Sequence, residues 1–208
     1  MFFSIPTTVN KKKYLFTTDW FTDASKFQVA IRFKKFLSKY KGEPCKFLEI
    51  GSYEGMSAVW ILDNIFTNKD ARLWCIDLAK NWTKDAFPKL VENINRSGKR
   101  DQVQIIKGSS RDYLTHFQRN DFDFVYIDGD HEAVRVLEDA ILAFRITKPG
   151  GIIAFDDYLL GIKWPNTPGA LACKTLPKKA IDYFLEIYND KIEILYQEYQ
   201  IWIKKIKD

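Results

Sequence analysis

Beyond residue 45 the chain alternates between two hydrophobic rhythms. Short apolar runs of strand length occur at 46–50, 72–77, 103–107, 122–128 and 152–156, and stretches with helical spacing separate them. Helices are predicted over 57–66, with Val59, Trp60, Leu62, Ile65 and Phe66 inward, and over 86–97, carrying Leu90, Val91 and Ile94. A short helix is expected at 111–117 and an amphipathic one at 133–145, with Val134, Leu137, Ile141 and Phe144 in register. Gly98 is a helix stop, and Pro149-Gly150-Gly151 punctuates the chain before the fifth strand. Strands and helices in strict alternation imply a parallel sheet with helices on both faces.

The rhythm changes at the end. After a helix over 177–188, β-patterned runs at 191–196 and 200–205 lie too close together for a crossover, so they form a hairpin and the last strand is antiparallel to its neighbour. The expectation is an α/β fold with a seven-stranded mixed sheet and a C-terminal antiparallel β-hairpin. Ahead of the sheet, 23–40 reads as one amphipathic helix with Phe27, Ile31, Leu37 and Tyr40 on one side. Residues 1–22 and 158–174 lack periodicity and are rich in aromatics, Pro and Gly. The chain is expected to be one domain over 1–208, with a helical or lid segment at 1–44 and the α/β core at 45–208.

Composition narrows the function classes. The 208 residues suffice for a real core, and 46% hydrophobic with 28% charged residues is ordinary for a globular protein. The net charge of +5 is mild. The lysine pairs, among them Lys34 and Lys35 and Lys204 and Lys205, are dispersed, which reads as solvated faces and not as a nucleic-acid stripe. Cys45, Cys75 and Cys173 are widely spaced, and Cys75 lies in a strand, so buried free thiols are expected. Two histidines all but exclude a His/Cys metal cluster. The N-terminus lacks a signal-peptide core, and no apolar run approaches the roughly 18 residues of a membrane span, so a cytoplasmic location is expected.

The densest chemistry lies at 47–55, Phe-Leu-Glu-Ile-Gly-Ser-Tyr-Glu-Gly, where a strand turns into a helix through Gly51 and Gly55. Glycine serves there for positive φ or for close approach to a ligand, and the helix start offers free N–H groups. A dinucleotide site wants Gly-x-Gly-x-x-Gly around a pyrophosphate, but Tyr53 and Ser57 stand where further glycines would be. Glu49, aimed into such a cradle, repels pyrophosphate and suits an ammonium group. Asp77 ends the second strand, where a carboxylate can accept bonds from both ribose hydroxyls; the plainer reading is that it starts a turn.

These motifs resemble the class I S-adenosylmethionine-dependent methyltransferases, closest to a metal-dependent sugar and small-molecule O-methyltransferase group with an Ile-Asp-Gly-Asp/Ser-His signature. The likeness covers about residues 18–206 and rests on Thr-Thr-Asp-Trp-Phe at 17–21, Leu-Glu-Ile-Gly-Ser-Tyr-Glu-Gly at 48–55, Cys-Ile-Asp at 75–77, Tyr-Ile-Asp-Gly-Asp-His at 126–131 and Phe-Asp-Asp-Tyr at 155–158. It implies a Rossmann-like fold and adenosylmethionine contacts from Glu49, Gly51, Ser52, Tyr53, Gly55, Ser57, Asp77, Ser109, Ser110 and Asp128. Ser109 stands where the family commonly has an acid.

Three aspartates fall at strand ends, Asp128 after the fourth strand and Asp156 and Asp157 after the fifth. Clustered carboxylates repel unless a cation or proton sits between them, and oxygen-only ligands suit Mg²⁺, with Mn²⁺ or Ca²⁺ as alternatives. The resemblance implies the same divalent ion, which would lower the pKa of a substrate hydroxyl. Acids at strand ends also cap helices, and Asp130 also suits a simple turn. His131 is the better general base because imidazole titrates near neutrality, with Asp130 its rival. His116 reads as a surface residue. Trp20, Tyr158 and Trp164 are expected to meet the substrate through their rings.

The resulting expectation is an S-adenosylmethionine-dependent O-methyltransferase acting on a sugar, glycan or similar small molecule with a free hydroxyl. Nucleic acid and membrane are not expected as partners, and a homodimer stays open. The alternatives are a metal-independent methyltransferase on another small acceptor and a non-catalytic adenosylmethionine-binding module. A base-directed N-methyltransferase would carry Asn/Asp-Pro-Pro-aromatic where this chain has Asp128-Gly129-Asp130-His131.

Overall fold

The computed structural model describes residues 5–23, 28–79 and 85–208. The strands are β1 (Lys46–Ile50), β2 (Arg72–Asp77), β3 (Val103–Lys107), β4 (Phe122–Ile127), β5 (Thr147–Phe155), β6 (Ile192–Gln197) and β7 (Ile201–Lys205). The helices are α1 (Val29–Leu37), α2 (Met56–Asn64), α3 (Ala86–Ser97), α4 (Ser110–Leu114), α5 (Ala133–Ile146), α6 (Leu160–Lys163), α7 (Pro168–Ala172) and α8 (Pro177–Ile187). The strands form one seven-stranded sheet in the order β3-β2-β1-β4-β5-β7-β6. β1 with β4, β2 with β3, and β4 with β5 pair in parallel, whereas β7 runs antiparallel to both β5 and β6. The expected mixed sheet and terminal hairpin are therefore present. No helix among the described residues is long and apolar enough to cross a membrane.

The chain divides into two compact units, residues 1–45 with 52–107, and residues 46–51 with 108–208. In the first, α2 is buried nearly all round, with Ala58, Val59, Trp60, Ile61 and Leu62 all enclosed. Trp60 meets Phe33 edge-on at 5.9 Å and donates its Nε1–H to Pro6 O at 3.0 Å. The helix expected over 23–40 is shorter. Gln28 sits at φ 54, a left-handed conformation that cannot continue a helix, so α1 begins at Val29. Its inner face is Val29, Ala30, Phe33 and Leu37, while Ile31 is exposed. Phe27 lies outside the described residues.

In the second unit, α5 keeps only Phe144 of the expected inner residues buried. Val134 and Ile141 are exposed, and Val136, Ala140, Ala143 and Phe144 are buried. Large apolar residues dominate a sequence pattern, but here small alanines and Phe144 form the inner face, and Phe144 meets Phe184 of α8 at 6.2 Å. β5 begins at Thr147, earlier than expected, because the strand continues through Pro149-Gly150-Gly151 with a register shift against β4. Residues 158–174 are not featureless but hold α6 and α7. Lys205, read as part of a solvated face, is fully buried, and its Nζ, with three hydrogens to give, lies within 3.1 Å of Asn120 Oδ1, the carbonyls of Phe144 and Thr147, and Asp208 Oδ1. Four acceptors make that burial tolerable. None of the three cysteines is in a disulfide, and Cys45 and Cys75 are buried.

Candidate active site

The turn after β1 is shaped by packing. Gly51 has φ +86, and a Cβ there would fall 2.0 Å from the Asp128 carbonyl oxygen. Asp128 N–H in turn donates to Ile50 O at 2.9 Å, so the ends of β1 and β4 interlock and leave room only for glycine. Gly55, at φ +81, would meet Leu90 Cδ1 of α3 at 2.7 Å. The positive φ expected at both glycines is present, and the close neighbours are the protein's own atoms.

Between them, Ser52 is buried and its Oγ has no hydrogen-bond partner. An orphaned buried hydroxyl is uncommon and fits a group that a ligand satisfies. Tyr53, at φ 49, donates its N–H to Asp77 Oδ2 at 2.9 Å, and its ring lies 5.3 Å from that of Trp20, which is largely exposed. Asp77 is buried, and its Oδ1 accepts from Ala79 N at 2.7 Å. Asp77 thus starts a turn, and each carboxylate oxygen retains a second lone pair for a ligand. Ser57 is buried in the first turn of α2.

The second unit gathers the acids. Tyr126 of β4 donates its hydroxyl to Asp156 Oδ2, whose other oxygen accepts from Asp157 N at 2.8 Å. Asp157 accepts from Tyr199 OH at 2.6 Å on one oxygen and pairs with His131 Nε2 at 2.8 Å on the other. Burial, then the charges of Asp156, Asp157 and Glu49, push the Asp128 carboxyl well above its usual range, against a hydrogen bond from Tyr126. Burial and the Asp157 charge raise Asp156 as well. Burial alone would lower the His131 imidazole, but the Asp157 hydrogen bond and the charges of Asp157, Asp130 and Asp156 raise it above its ordinary value. Glu49 is buried at the end of β1.

Among the described residues, no three His, Cys, Asp or Glu side chains stand ready as a metal cage. The donor chemistry of Asp128, Asp156 and Asp157 nevertheless fits a hard cation, because the charges of Asp156 and Asp157 raise the Asp128 carboxyl and that of Asp157 raises Asp156, a repulsion that a proton or cation relieves.

The remaining candidates are placed as follows. Asp130 is exposed and accepts from Glu132 N at 2.9 Å, shaping the turn before α5. Ser110 donates to Asp139 Oδ1 at 2.6 Å, and Ser109 precedes α4 in extended backbone. Tyr158 is buried, with its hydroxyl donating to Asp182 at 2.6 Å and accepting from Lys178 at 2.9 Å. That hydroxyl is committed to α8, leaving only the ring for any substrate. Trp164 is half-buried at the end of α6, and His116 is exposed as expected. Sequence reasoning passed over Tyr126, Tyr199 and Gln200, whose amide donates to Tyr126 OH at 3.3 Å. Nothing in the spacing of β7 marks Tyr199 as a neighbour of Asp157, 42 residues earlier, or Gln200 as a neighbour of Tyr126, 74 residues earlier.

A family profile described as a methyltransferase domain matches residues 48–158. This chain belongs to that family, within the class I S-adenosylmethionine-dependent methyltransferases. An uncharacterised mimivirus protein (R132, Acanthamoeba polyphaga mimivirus) is 31% identical over 124 residues, 57% of this chain and 54% of that protein. A catechol O-methyltransferase of Mycobacterium tuberculosis is 28% identical over 115 residues, 55% and 48% of the two chains. The match thus spans about half the length of the curated relatives. In fold, the methyltransferase resembles MycE of the mycinamycin biosynthetic pathway, solved with Mg and S-adenosylhomocysteine, at a TM-score of 0.61 and 15% identity over 86% of this chain and 50% of that one.

Proposed function

We propose that this methyltransferase moves the methyl group of S-adenosylmethionine to a hydroxyl of a sugar, glycan or similar small molecule in the cytoplasm. The observation that carries the reading is the His131–Asp157 pair at 2.8 Å, beside Asp156 and Asp128 at the ends of β4 and β5, where open α/β sheets bind ligands. The donor is assigned to Glu49, Gly51, Ser52, Tyr53, Gly55, Ser57, Asp77, Ser109, Ser110 and Asp128. Ser52's unsatisfied hydroxyl and the spare lone pairs of Asp77 support that assignment.

Methyl transfer from a sulfonium needs the oxygen in line and a place for its proton. With Nε2 held by Asp157, the imidazole of His131 has its orientation fixed and keeps Nδ1 to receive the hydroxyl proton. The Asp157 carboxylate stabilises the imidazolium that results, and Tyr199 holds Asp157 in place. Exposed Asp130, tied to Glu132 N, is the weaker candidate for base.

Asp128, Asp156 and Asp157 would hold a divalent cation, with Mg²⁺ favoured over Mn²⁺ or Ca²⁺. When bound, the ion would lower the pKa of the substrate hydroxyl. The magnesium in MycE supports this; the leaning towards sugars rests on the resemblance carried by Ile127-Asp128-Gly129-Asp130-His131. Trp20, Tyr158 and Trp164 are assigned to acceptor contacts. A metal-independent route is the second reading, favoured by the fact that both oxygens of Asp157 already serve Tyr199 and His131. The test measures S-adenosylhomocysteine release across glycosides, rhamnosides and catechols, with EDTA and with Mg²⁺. Turnover of a hydroxyl acceptor is expected; transfer only to nitrogen acceptors, or no binding of the donor, overturns the proposal.

A further inference from the structure

One buried charge has no place in the chemistry above. Glu54 lies inside the turn between Gly51 and Gly55 and is 2% exposed. Its carboxylate accepts from Thr17 N at 2.7 Å and Thr17 Oγ1 at 2.5 Å, and from Lys89 Nζ of α3 at 3.0 Å. Its carbonyl accepts from Asn93 Nδ2 at 2.8 Å, and the same amide clasps Leu15, taking Leu15 N on Oδ1 at 2.7 Å and giving to Leu15 O at 2.9 Å. Asn93 is completely buried. A single polar knot therefore ties the segment 15–17 to the turn and to α3.

Apolar packing could seat a segment here with less desolvation cost. What it could not do is fix register, because hydrogen bonds are directional and hydrophobic contacts are not. Register matters three residues on, where Trp20 reaches Tyr53 at 5.3 Å. Tyr53 is held at φ 49, a conformation unfavourable for a residue with a side chain, and its N–H is the one bound to Asp77. The knot at Glu54 thus lies next in sequence to the residue whose backbone and ring connect Trp20 to Asp77.

We infer that Glu54 is a positioning residue for the methyl donor: by anchoring Thr17 it sets Trp20 against Tyr53 and so holds the 52–55 turn and Asp77 in the donor-binding arrangement. The inference rests on the donor assignment made above. It adds that binding strength depends on a segment more than thirty residues earlier in the chain, through a group that does not touch the donor.

The test is a double-mutant cycle read by calorimetry with S-adenosylhomocysteine. Glu54→Gln and Trp20→Ala are each expected to weaken binding about tenfold, with the double variant no weaker than either single, since both act through one contact. Glu54→Asp should recover part of the loss. A merely structural Glu54 would lower thermal stability and leave affinity intact in the folded fraction. Unchanged affinity in both singles, or losses that multiply in the double variant, overturns the inference. Thr17→Val removes the side-chain half of the anchor and gives the same reading if Glu54→Gln does not fold. Absence of binding in the wild-type protein would instead defeat the donor assignment itself, and the positioning role with it.

Discussion

Asp157 holds His131 by its Nε2 at 2.8 Å while its second carboxylate oxygen accepts from Tyr199 at 2.6 Å. An imidazole oriented by a carboxylate that is itself oriented by a third group has the construction of a general base with its supports. His131→Ala is expected to lower kcat by about 10²–10⁴-fold and to leave adenosylmethionine affinity within a factor of about two. Steady-state kinetics with calorimetric titration checks this; a wild-type kcat removes His131 from the reaction.

The carboxylate cluster makes a prediction separable from turnover. Mg²⁺ is expected to raise the melting temperature of the wild-type protein and to give a calorimetric binding signal, both absent in Asp156→Asn. A wild-type protein that binds no divalent ion, with turnover undiminished after chelation, favours the metal-independent route.

Glycine substitutions should divide by environment. Gly51→Ala combines φ +86 with a Cβ 2.0 Å from the Asp128 backbone, so the strand end carrying Asp128 has to move. A loss of at least about 3 kcal/mol is expected. Gly98→Ala has φ +77 but no atom within 4 Å, and should cost only about 1–2 kcal/mol of backbone strain. Urea denaturation of both variants makes the comparison, and equal losses would contradict it.

Asp139 should give the protein a pH signature. Its carboxyl, 2% exposed, is pushed up to about 6, first by burial and then by the charges of Asp130 and Glu138, against the Ser110 hydrogen bond and Arg111. Because the folded pKa lies above the unfolded 3.8, the folded form keeps a proton that the unfolded chain has lost. This group's contribution is therefore greatest below pH 3.8, declines as pH rises to about 6, and is constant above. Asp139→Asn should remove that decline and be more stable than wild type at pH 7.5 by up to about 3 kcal/mol. Denaturation midpoints across pH 4–8 check the difference, and parallel curves would refute it.

The alternation of strands and helices, the terminal hairpin and the strand-end positions of Glu49, Asp77, Asp128, Asp156 and Asp157 are legible in the order of residues alone. These follow from local periodicity and from glycine and aspartate spacing, which are properties of neighbouring residues. The buried faces of α1 and α5 were legible only in part: Leu37 and Phe144 turn inward as expected, but large apolar residues such as Ile31, Val134 and Ile141 dominate a pattern, whereas α5 turns Ala140 and Ala143 inward. The knot of Glu54, Thr17 and Asn93 was not legible, nor was the reach of Tyr199 to Asp157. Each joins residues 37 or more positions apart, and only the folded chain decides which partner a side chain meets across such a distance.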